Sequence, residues 1–253
     1  MIPWYDGHWL DKYYKAKGWI QNNAPHKLKE LEESINHLRT NKHFKPIRLN
    51  KALTDKQVKE AKRLINDIDN SKYEKHEILS FGRVVVHNDL FFIRIQESLI
   101  DMVSSAVDEE LEISYNFLSL YSNIGVCPMH MDAPDAKWTL DICLDQSYEW
   151  PIYFSQIIDW PDLSIYKSED WEDQILNDQR LHFESHTLRP GNGIIFSGSS
   201  QFHYINRIHR GNNNDFCNLI FFHFIPKHTK DFINPKSWPE YFNLPSLSQA
   251  FDS

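Results

Sequence analysis

Residues 187–203, TLRPGNGIIFSGSSQFH, form the stretch of sequence that decides the fold of this chain. The Pro-Gly-Asn-Gly sequence predicts a turn, and the apolar run that starts at Ile194 predicts a short buried strand. The Ser-Gly pair after that run predicts a tight exit, and His203 closes the stretch. A short strand held between two turns is typical of sandwiched or closed antiparallel sheets.

Segments of the same kind fill the second half of the chain, from about Ile113 onward. They are short, rich in β-branched and aromatic residues, and separated by Gly, Pro, Asn and Asp. No regular helical pattern lies between them, which favours an antiparallel sandwich or barrel over a parallel α/β sheet. The segments are YNFLSLYSN, WTLDICLD, WPIYFSQII and FCNLIFFHFIP.

The first half of the chain has helical periodicity instead. Leucine and isoleucine recur at helical spacing between Lys27 and Arg39, and residues 92–107 repeat that pattern. Thr54 followed by Gln57 predicts a capping box at the start of another helix. We therefore expect mainly helical support packed on a β-rich core.

We expect one domain over residues 1–253, because no linker-like composition divides the helical part from the β-rich part. Residues 1–112 are predicted to be the helical support and residues 113–226 the core. The acidic, Trp-rich stretch 159–180 is predicted to be an insertion or lid, with Trp160, Asp170 and Trp171 able to close over a substrate. Residues 227–253 are predicted to form a C-terminal tail.

Composition narrows the class of protein. The formal net charge of −8 from 27 basic and 35 acidic residues makes nucleic acid a poor partner, since an acidic surface repels phosphates. No apolar run is long enough to span a bilayer, and the first residues lack the features of a signal peptide. Three cysteines with no CxxC pair argue against a disulfide framework. We therefore expect a cytoplasmic protein that neither enters a membrane nor binds nucleic acid.

Two histidines and one aspartate are the candidate metal ligands. His130 and Asp132 lie two residues apart, so in an extended chain both side chains project to one face. His203 follows after enough residues for several strands to bring the chain back beside them. Two imidazoles and one carboxylate on one face of an ion leave open positions, an arrangement typical of non-heme iron(II) oxygenases rather than of closed zinc sites.

In their order along the chain, these motifs resemble the Fe(II)/2-oxoglutarate-dependent dioxygenase superfamily, over roughly residues 113–226. The motifs are residues 121–132, the strand 138–145, the turn with IIFSGSSQFH, and the closing FFHF. The resemblance implies a double-stranded β-helix, also called a jelly-roll or cupin-like core. It also implies iron(II), 2-oxoglutarate and dioxygen as reactants, and hydroxylation of an unactivated C–H bond in an amino acid or other small molecule.

One element of the family pattern is missing. Family members usually carry Arg or Lys about ten residues after the distal histidine, where a cation pairs with the far carboxylate of 2-oxoglutarate. That position is Asn213 here, or near Phe216 if the strand is counted back from FFHF, and neither residue is a cation. The nearest cations are Arg210, which we favour slightly, and Arg207.

Three more residues have possible roles near the site. Lys137 is a further, less favoured anchor for the 2-oxoglutarate carboxylate. Tyr121, on the strand before the metal motif, resembles tyrosines that bond the co-substrate carboxylate in this superfamily. His223 lies in the apolar closing strand and is expected to be a buried histidine bonded to a backbone carbonyl rather than a fourth ligand.

The missing anchor leaves two alternative functions open. An iron oxygenase could bind its substrate directly to the metal without 2-oxoglutarate. A cupin-like binding module would keep the fold without catalysis. Succinate release and iron-dependent consumption of dioxygen distinguish these functions from the 2-oxoglutarate-dependent one.

Overall fold

The computed structural model describes residue 4 and residues 7–160, 169–207 and 213–251. Within those ranges the strands form two antiparallel sheets, one of six strands and one of four. In chain order the strands are β1 (Ile47–Leu49), β2 (Arg83–His87), β3 (Leu111–Tyr121), β4 (Cys127–His130), β5 (Trp138–Gln146), β6 (Ile152–Ser155), β7 (Phe183–His186), β8 (Gly193–Phe196), β9 (His203–Ile205) and β10 (Cys217–Pro226).

The order of the strands identifies the fold. The larger sheet runs β1-β8-β5-β10-β3-β2, and the smaller runs β4-β9-β6-β7. The chain from β3 to β10 therefore crosses repeatedly between the two sheets, which is the winding of a jelly-roll. This confirms the predicted fold class, a double-stranded β-helix with helical support.

Helices cover the outer face of the larger sheet and one flank of the smaller. Among the described residues no helix combines the length and the apolar composition needed to cross a bilayer. The helices are α1 (His8–Asn23), α2 (Leu28–Asn36), α3 (Asp55–Asp67), α4 (Ile78–Phe81), α5 (Leu90–Val107), α6 (Trp171–Asn177), α7 (Lys230–Ile233) and α8 (Trp238–Tyr241).

The capping box is formed as the sequence predicts. The Thr54 hydroxyl accepts a hydrogen bond from the backbone N–H of Gln57, and the Gln57 side chain accepts one from the backbone N–H of Thr54. The buried faces of α3 and α5 pack on the apolar outer face of the larger sheet, through Val58, Phe92 and Leu99 among others. That packing supports β5 and β10 from behind and leaves their inner face free for a cavity.

The helical first half also contains two short strands that the sequence analysis did not predict. β2 pairs antiparallel with β3, from Arg83 opposite Tyr121 to His87 opposite Phe117. The segment RVVVH is too short for its periodicity to distinguish a strand from a turn of helix. Its pairing extends the larger sheet by one strand beyond the jelly-roll and brings Arg83 to the inner face.

The C-terminal segment is part of the core. Trp238 is fully buried, its Nε1 donates to the carbonyl of Phe232 at 2.7 Å, and its ring meets that of Trp9 at 5.5 Å. Through these contacts the last helices hold α1 against the smaller sheet. The packing unites both ends of the chain with the β-core.

We therefore expect Trp238→Ala to lower the free energy of unfolding by about 3–5 kcal/mol, the cost of emptying a buried aromatic site. Tyr241→Ala is the matched control, because Tyr241 is 51% exposed. Equilibrium unfolding in urea checks both variants. Equal midpoints for Trp238→Ala and the unmodified protein would show that the C-terminal segment does not stabilise the core.

Candidate metal centre

The structure brings the three predicted metal ligands together. His130 ends β4 and pairs directly with His203, the first residue of β9, while Asp132 follows two residues later. The Nε2 atom of His130 lies 3.4 Å from Oδ1 of Asp132, and that of His203 lies 3.7 Å from the same oxygen. One ligand atom from each side chain falls within 4.8 Å of the other two, a separation suited to a single metal ion.

Backbone carbonyls orient both imidazoles. Nδ1 of His130 bonds the carbonyl of Pro128 at 2.7 Å, and Nδ1 of His203 bonds the carbonyl of Gln201 at 3.1 Å. A carbonyl only accepts, so each Nδ1 carries a hydrogen, and each Nε2 is left to face the Asp132 carboxylate. This is the tautomer and the second hydrogen bond that metal-binding histidines use.

The charges also suit a divalent cation. Burial lowers the pKa of His203 to about 4, so its imidazole is neutral at neutral pH. Although burial raises the pKa of a carboxyl group, His203 and His130 hold that of Asp132 well below its ordinary value. Burial opposes charge on His130 too, yet Cys127 and Asp132 raise the pKa of His130 well above the ordinary value. The raised pKa favours the protonated form of His130, and a metal ion at Nε2 would replace the proton on that atom.

Gly198 leaves the space that the Asp132 side chain occupies. Its carbonyl accepts a hydrogen bond from the backbone N–H of Asp132 at 2.9 Å. A Cβ atom added at Gly198 would lie 2.5 Å from the carbonyl oxygen of Ala136, and closer still to Oδ2 of Asp132. The Ser-Gly exit that the sequence analysis identified as a turn is therefore also a wall of the metal centre.

Gly198→Ala is expected to weaken metal binding by about 10–100-fold. Displacement of the Asp132 carboxylate should lower metal affinity as much as the loss of a hydrogen bond that orients a metal ligand. The matched control is Gly18→Ala on α1, where an added Cβ meets no atom within 4 Å. Competition titration with nickel(II) measures both affinities. Unchanged nickel affinity in Gly198→Ala would mean that this close packing does not position Asp132.

A cavity of about 810 Å³ opens beside the three ligands, between the two sheets. Asp141 and His223 line it from the larger sheet, and each is almost fully buried with a polar atom, Oδ1 and Nε2 respectively, that has no hydrogen-bond partner among the described residues. Burial raises the pKa of Asp141 well above its ordinary value, with Cys127 acting in the same direction. Unpartnered buried polar atoms facing a cavity suit a polar ligand.

The predicted co-substrate residues lie in different surroundings. Tyr121 is 2% exposed, and its hydroxyl accepts a hydrogen bond from Nη1 of Arg83 at 2.7 Å. Arg207 is exposed just beyond the end of β9 and is not among the described residues that line the cavity. Arg210 lies outside the described residues. The assignment of an anchor to Arg207 or Arg210 therefore stays a prediction.

Lys137 and His223 differ from expectation. The Nζ of Lys137 is bound by both carboxylate oxygens of Glu109 at 2.9 Å and by the carbonyl of His37, so this lysine is used outside the cavity. His223 is buried as predicted, but its Nδ1 lies 3.0 Å from the Thr139 hydroxyl rather than from a backbone carbonyl. His223 is not one of the clustered ligand atoms.

The predicted lid divides into two parts around residues 161–168, which lie outside the described residues. Trp160 belongs to the core, since it is 5% exposed and its Nε1 donates to the carbonyl of Ser199 at 2.9 Å. Trp171 and Glu172, at the start of α6, line the cavity instead. The idea of a closing lid therefore stays a prediction, and it concerns α6 rather than Trp160.

Arg83 is the cavity residue that the sequence analysis missed. Its side chain is 12% exposed, and it lines the cavity together with Glu77. A signal was present, because an arginine directly before three valines and after the left-handed Gly82 is typical of a strand that follows a turn. No single-sequence pattern, however, indicates that this strand joins the sheet beside the metal centre.

Solved structures resemble this fold despite low sequence identity. HygX from Streptomyces hygroscopicus, with nickel and 2-oxoglutarate bound, gives a TM-score of 0.56 at 11% identity over 72% of this chain and 83% of HygX. AviO1 from Streptomyces viridochromogenes Tue57 gives 0.53 at 15% identity, over 78% and 95% of the two chains. SnoN, a non-heme α-ketoglutarate-dependent epimerase from nogalamycin biosynthesis, gives 0.52 at 11% identity, over 79% and 82%.

These likenesses are of fold. Neither a protein-family model nor a curated protein matches the sequence. The chain shares the double-stranded β-helix fold of HygX, AviO1 and SnoN, so the fold that the motifs predicted is confirmed.

Proposed function

We propose that this chain is an Fe(II)- and 2-oxoglutarate-dependent dioxygenase that hydroxylates an unactivated C–H bond of an amino acid or another small molecule. The observation that carries the proposal is the cluster of His130, Asp132 and His203 on the wall of a large cavity between the sheets. Such a facial triad leaves neighbouring positions on iron free for dioxygen and a bidentate co-substrate.

In this proposal His130, Asp132 and His203 bind the iron and form the catalytic centre. Iron(II), when bound, would supply the activation of dioxygen, coupled to the oxidative decarboxylation of 2-oxoglutarate to succinate and carbon dioxide. The protein's part is to hold the ligands and to shield the reaction from water. The carbonyls of Pro128 and Gln201 keep both imidazoles aimed at the metal position. The side chains of His203 and Asp132 are only 8% and 12% exposed, which limits the access of bulk water.

Tyr121 is proposed to hydrogen-bond a carboxylate of 2-oxoglutarate. Its hydroxyl is buried beside Cys127, a residue that lines the cavity. Arg207 and Arg210, the first cations after His203, are the anchors that the sequence offers for the same carboxylate. Arg207 is exposed, so it could reach a bound co-substrate only from the rim of the cavity.

A small-molecule substrate is supported by the size and lining of the cavity. Its volume of about 810 Å³ lies within the ~300–1,000 Å³ that small-ligand pockets usually span. Half-buried aromatic side chains of the lining, among them Tyr115, Phe117 and Phe221, offer flat apolar surface. HygX has been solved with hygromycin B bound, so a jelly-roll of this kind holds a compound of that class.

The test is purified protein supplied with iron(II), 2-oxoglutarate and dioxygen. We expect succinate to form and dioxygen to be consumed in an iron-dependent way. His130→Ala and His203→Ala should each lower the rates of succinate formation and dioxygen consumption by more than about 100-fold. Loss of a metal ligand should exceed the roughly 10–100-fold effect of losing a hydrogen-bond partner of a ligand. His26→Ala is the matched control, since His26 is exposed on the surface.

Three outcomes separate the alternatives. Consumption of dioxygen without succinate would favour an iron oxygenase that binds its substrate directly. Metal binding with neither activity would favour a cupin-like binding module. Equal iron affinity in His130→Ala, His203→Ala and the unmodified protein would eliminate the triad. Product analysis must follow, because SnoN is an epimerase with a similar fold.

A further inference from the structure

We propose that Arg83 of β2 is the residue that anchors the far carboxylate of 2-oxoglutarate, in place of the cation that the superfamily usually carries on the strand equivalent to β10. The inference rests on the proposed function and adds a binding residue to it. Among the described residues that line the cavity, Arg83 is the only lysine or arginine. Within the part of the chain that the structure describes, a dicarboxylate that enters this cavity meets no other guanidinium or ammonium group.

The usual position of the anchor holds no cation in this chain. β10 has the sequence CNLIFFHFIP and contains no lysine or arginine. Phe221 and His223 are its cavity-lining residues. The pKa of His223 is lowered to about 4, chiefly by burial, so this histidine is neutral and does not supply the missing charge. The cation must therefore come from outside β10.

The sheet register brings Arg83 to that strand's neighbourhood. Arg83 pairs with Tyr121 on β3, and Tyr121 pairs in turn with Cys217 at the start of β10. Directly paired residues of adjacent strands project to the same face, so the three side chains share the inner face of the larger sheet. The arginine side chain lies over β3, where Nη1 donates to the Tyr121 hydroxyl at 2.7 Å.

Two of the nitrogen atoms of the Arg83 guanidinium donate hydrogen bonds to neighbouring side chains, and further N–H donors are left for a ligand. An arginine has five N–H donors in a planar fork. Nε donates to Glu77 and Nη1 to Tyr121, and no other acceptor for this group is found among the described residues. The rings of Phe81 and Phe117 lie 5.1 and 5.4 Å from the guanidinium carbon and fix its plane. The remaining N–H groups suit the two oxygens of a carboxylate.

A short series of contacts joins Arg83 to the metal centre. The Tyr121 hydroxyl bonded by Arg83 interacts with the thiol of Cys127, and the same thiol interacts with the imidazole of His130. Two side chains thus separate the cation from a metal ligand. In the proposed arrangement, the 2-oxo acid end of 2-oxoglutarate would chelate the metal, and its far carboxylate would bind the Arg83 guanidinium.

A purely structural ion pair with Glu77 is the competing explanation for Arg83. A structural pair would affect stability and leave selectivity among 2-oxo acids unchanged. An anchor for the far carboxylate would instead affect 2-oxoglutarate strongly and pyruvate hardly at all, because pyruvate has the same chelating end but lacks the second carboxylate. The ratio of the two affinities therefore separates the explanations even in a variant that is less stable.

The experiment is calorimetric titration of the full-length, nickel(II)-loaded protein with 2-oxoglutarate and with pyruvate. Arg83→Gln should weaken 2-oxoglutarate binding by at least about 30-fold, as expected when one partner of a buried charge pair is removed. Nickel and pyruvate affinities should stay within about twofold of the unmodified protein. The 2-oxoglutarate affinity of Arg83→Lys should fall between those of Arg83→Gln and the unmodified protein, because an ammonium group keeps the charge but lacks the planar pair of N–H donors.

The control is Arg63→Gln, exposed on α3, and Arg207→Gln tests the competing anchor that the sequence offers. Unchanged 2-oxoglutarate affinity in both, with a loss in Arg83→Gln, supports the assignment. An equal preference for 2-oxoglutarate over pyruvate in Arg83→Gln and the unmodified protein overturns it, as does a loss confined to Arg207→Gln. If the unmodified nickel-loaded protein does not bind 2-oxoglutarate at all, the proposed function itself fails.

Discussion

The pairing of β4 with β9 is the interaction on which the candidate site depends. It sets His130 directly opposite His203, and the chain then needs only two more residues to bring in Asp132. Side chains alternate between the faces of a strand, so a slip of one residue would turn one imidazole away from the cavity. β6 fixes the same register from the other side, because Phe154 pairs with His203.

The larger sheet gives this pairing a rigid opposite wall. β10 changes register between Phe222 and Phe224, and the backbone carbonyl of His223 within that bulge accepts a hydrogen bond from the Gln96 side chain of α5 at 2.9 Å. Gln96 also accepts a hydrogen bond from the Asn116 amide at 2.8 Å. This buried amide pair ties the supporting helix to the part of β10 that lines the cavity. The helical first half therefore helps to shape the site as well as covering the core.

Local sequence patterns predicted the features that depend on residues close together in the chain. Two-residue spacing indicated that His130 and Asp132 share a face, and the turn before Ile194 indicated a short buried strand; the structure has both features. The capping box at Thr54 was predicted for the same reason, since its partners are three residues apart.

Contacts between residues far apart in sequence could not be predicted from local patterns. The pairing of β2 with β3 joins residues far apart in sequence, so nothing near Arg83 indicates its place in the cavity. Lys137 shows the converse, because it follows the metal motif closely in sequence yet pairs with Glu109 outside the cavity. A single sequence also does not reveal which buried polar groups will lack partners, as Asp141 does among the described residues.

The most direct test of the metal centre is a crystal structure of the protein prepared without oxygen in the presence of iron(II) and 2-oxoglutarate. We expect one iron bound by Nε2 of His130, Nε2 of His203 and a carboxylate oxygen of Asp132, with the 2-oxo acid chelating that iron inside the cavity. An iron bound elsewhere, or a cavity without metal and co-substrate at saturating concentrations, would contradict this expectation.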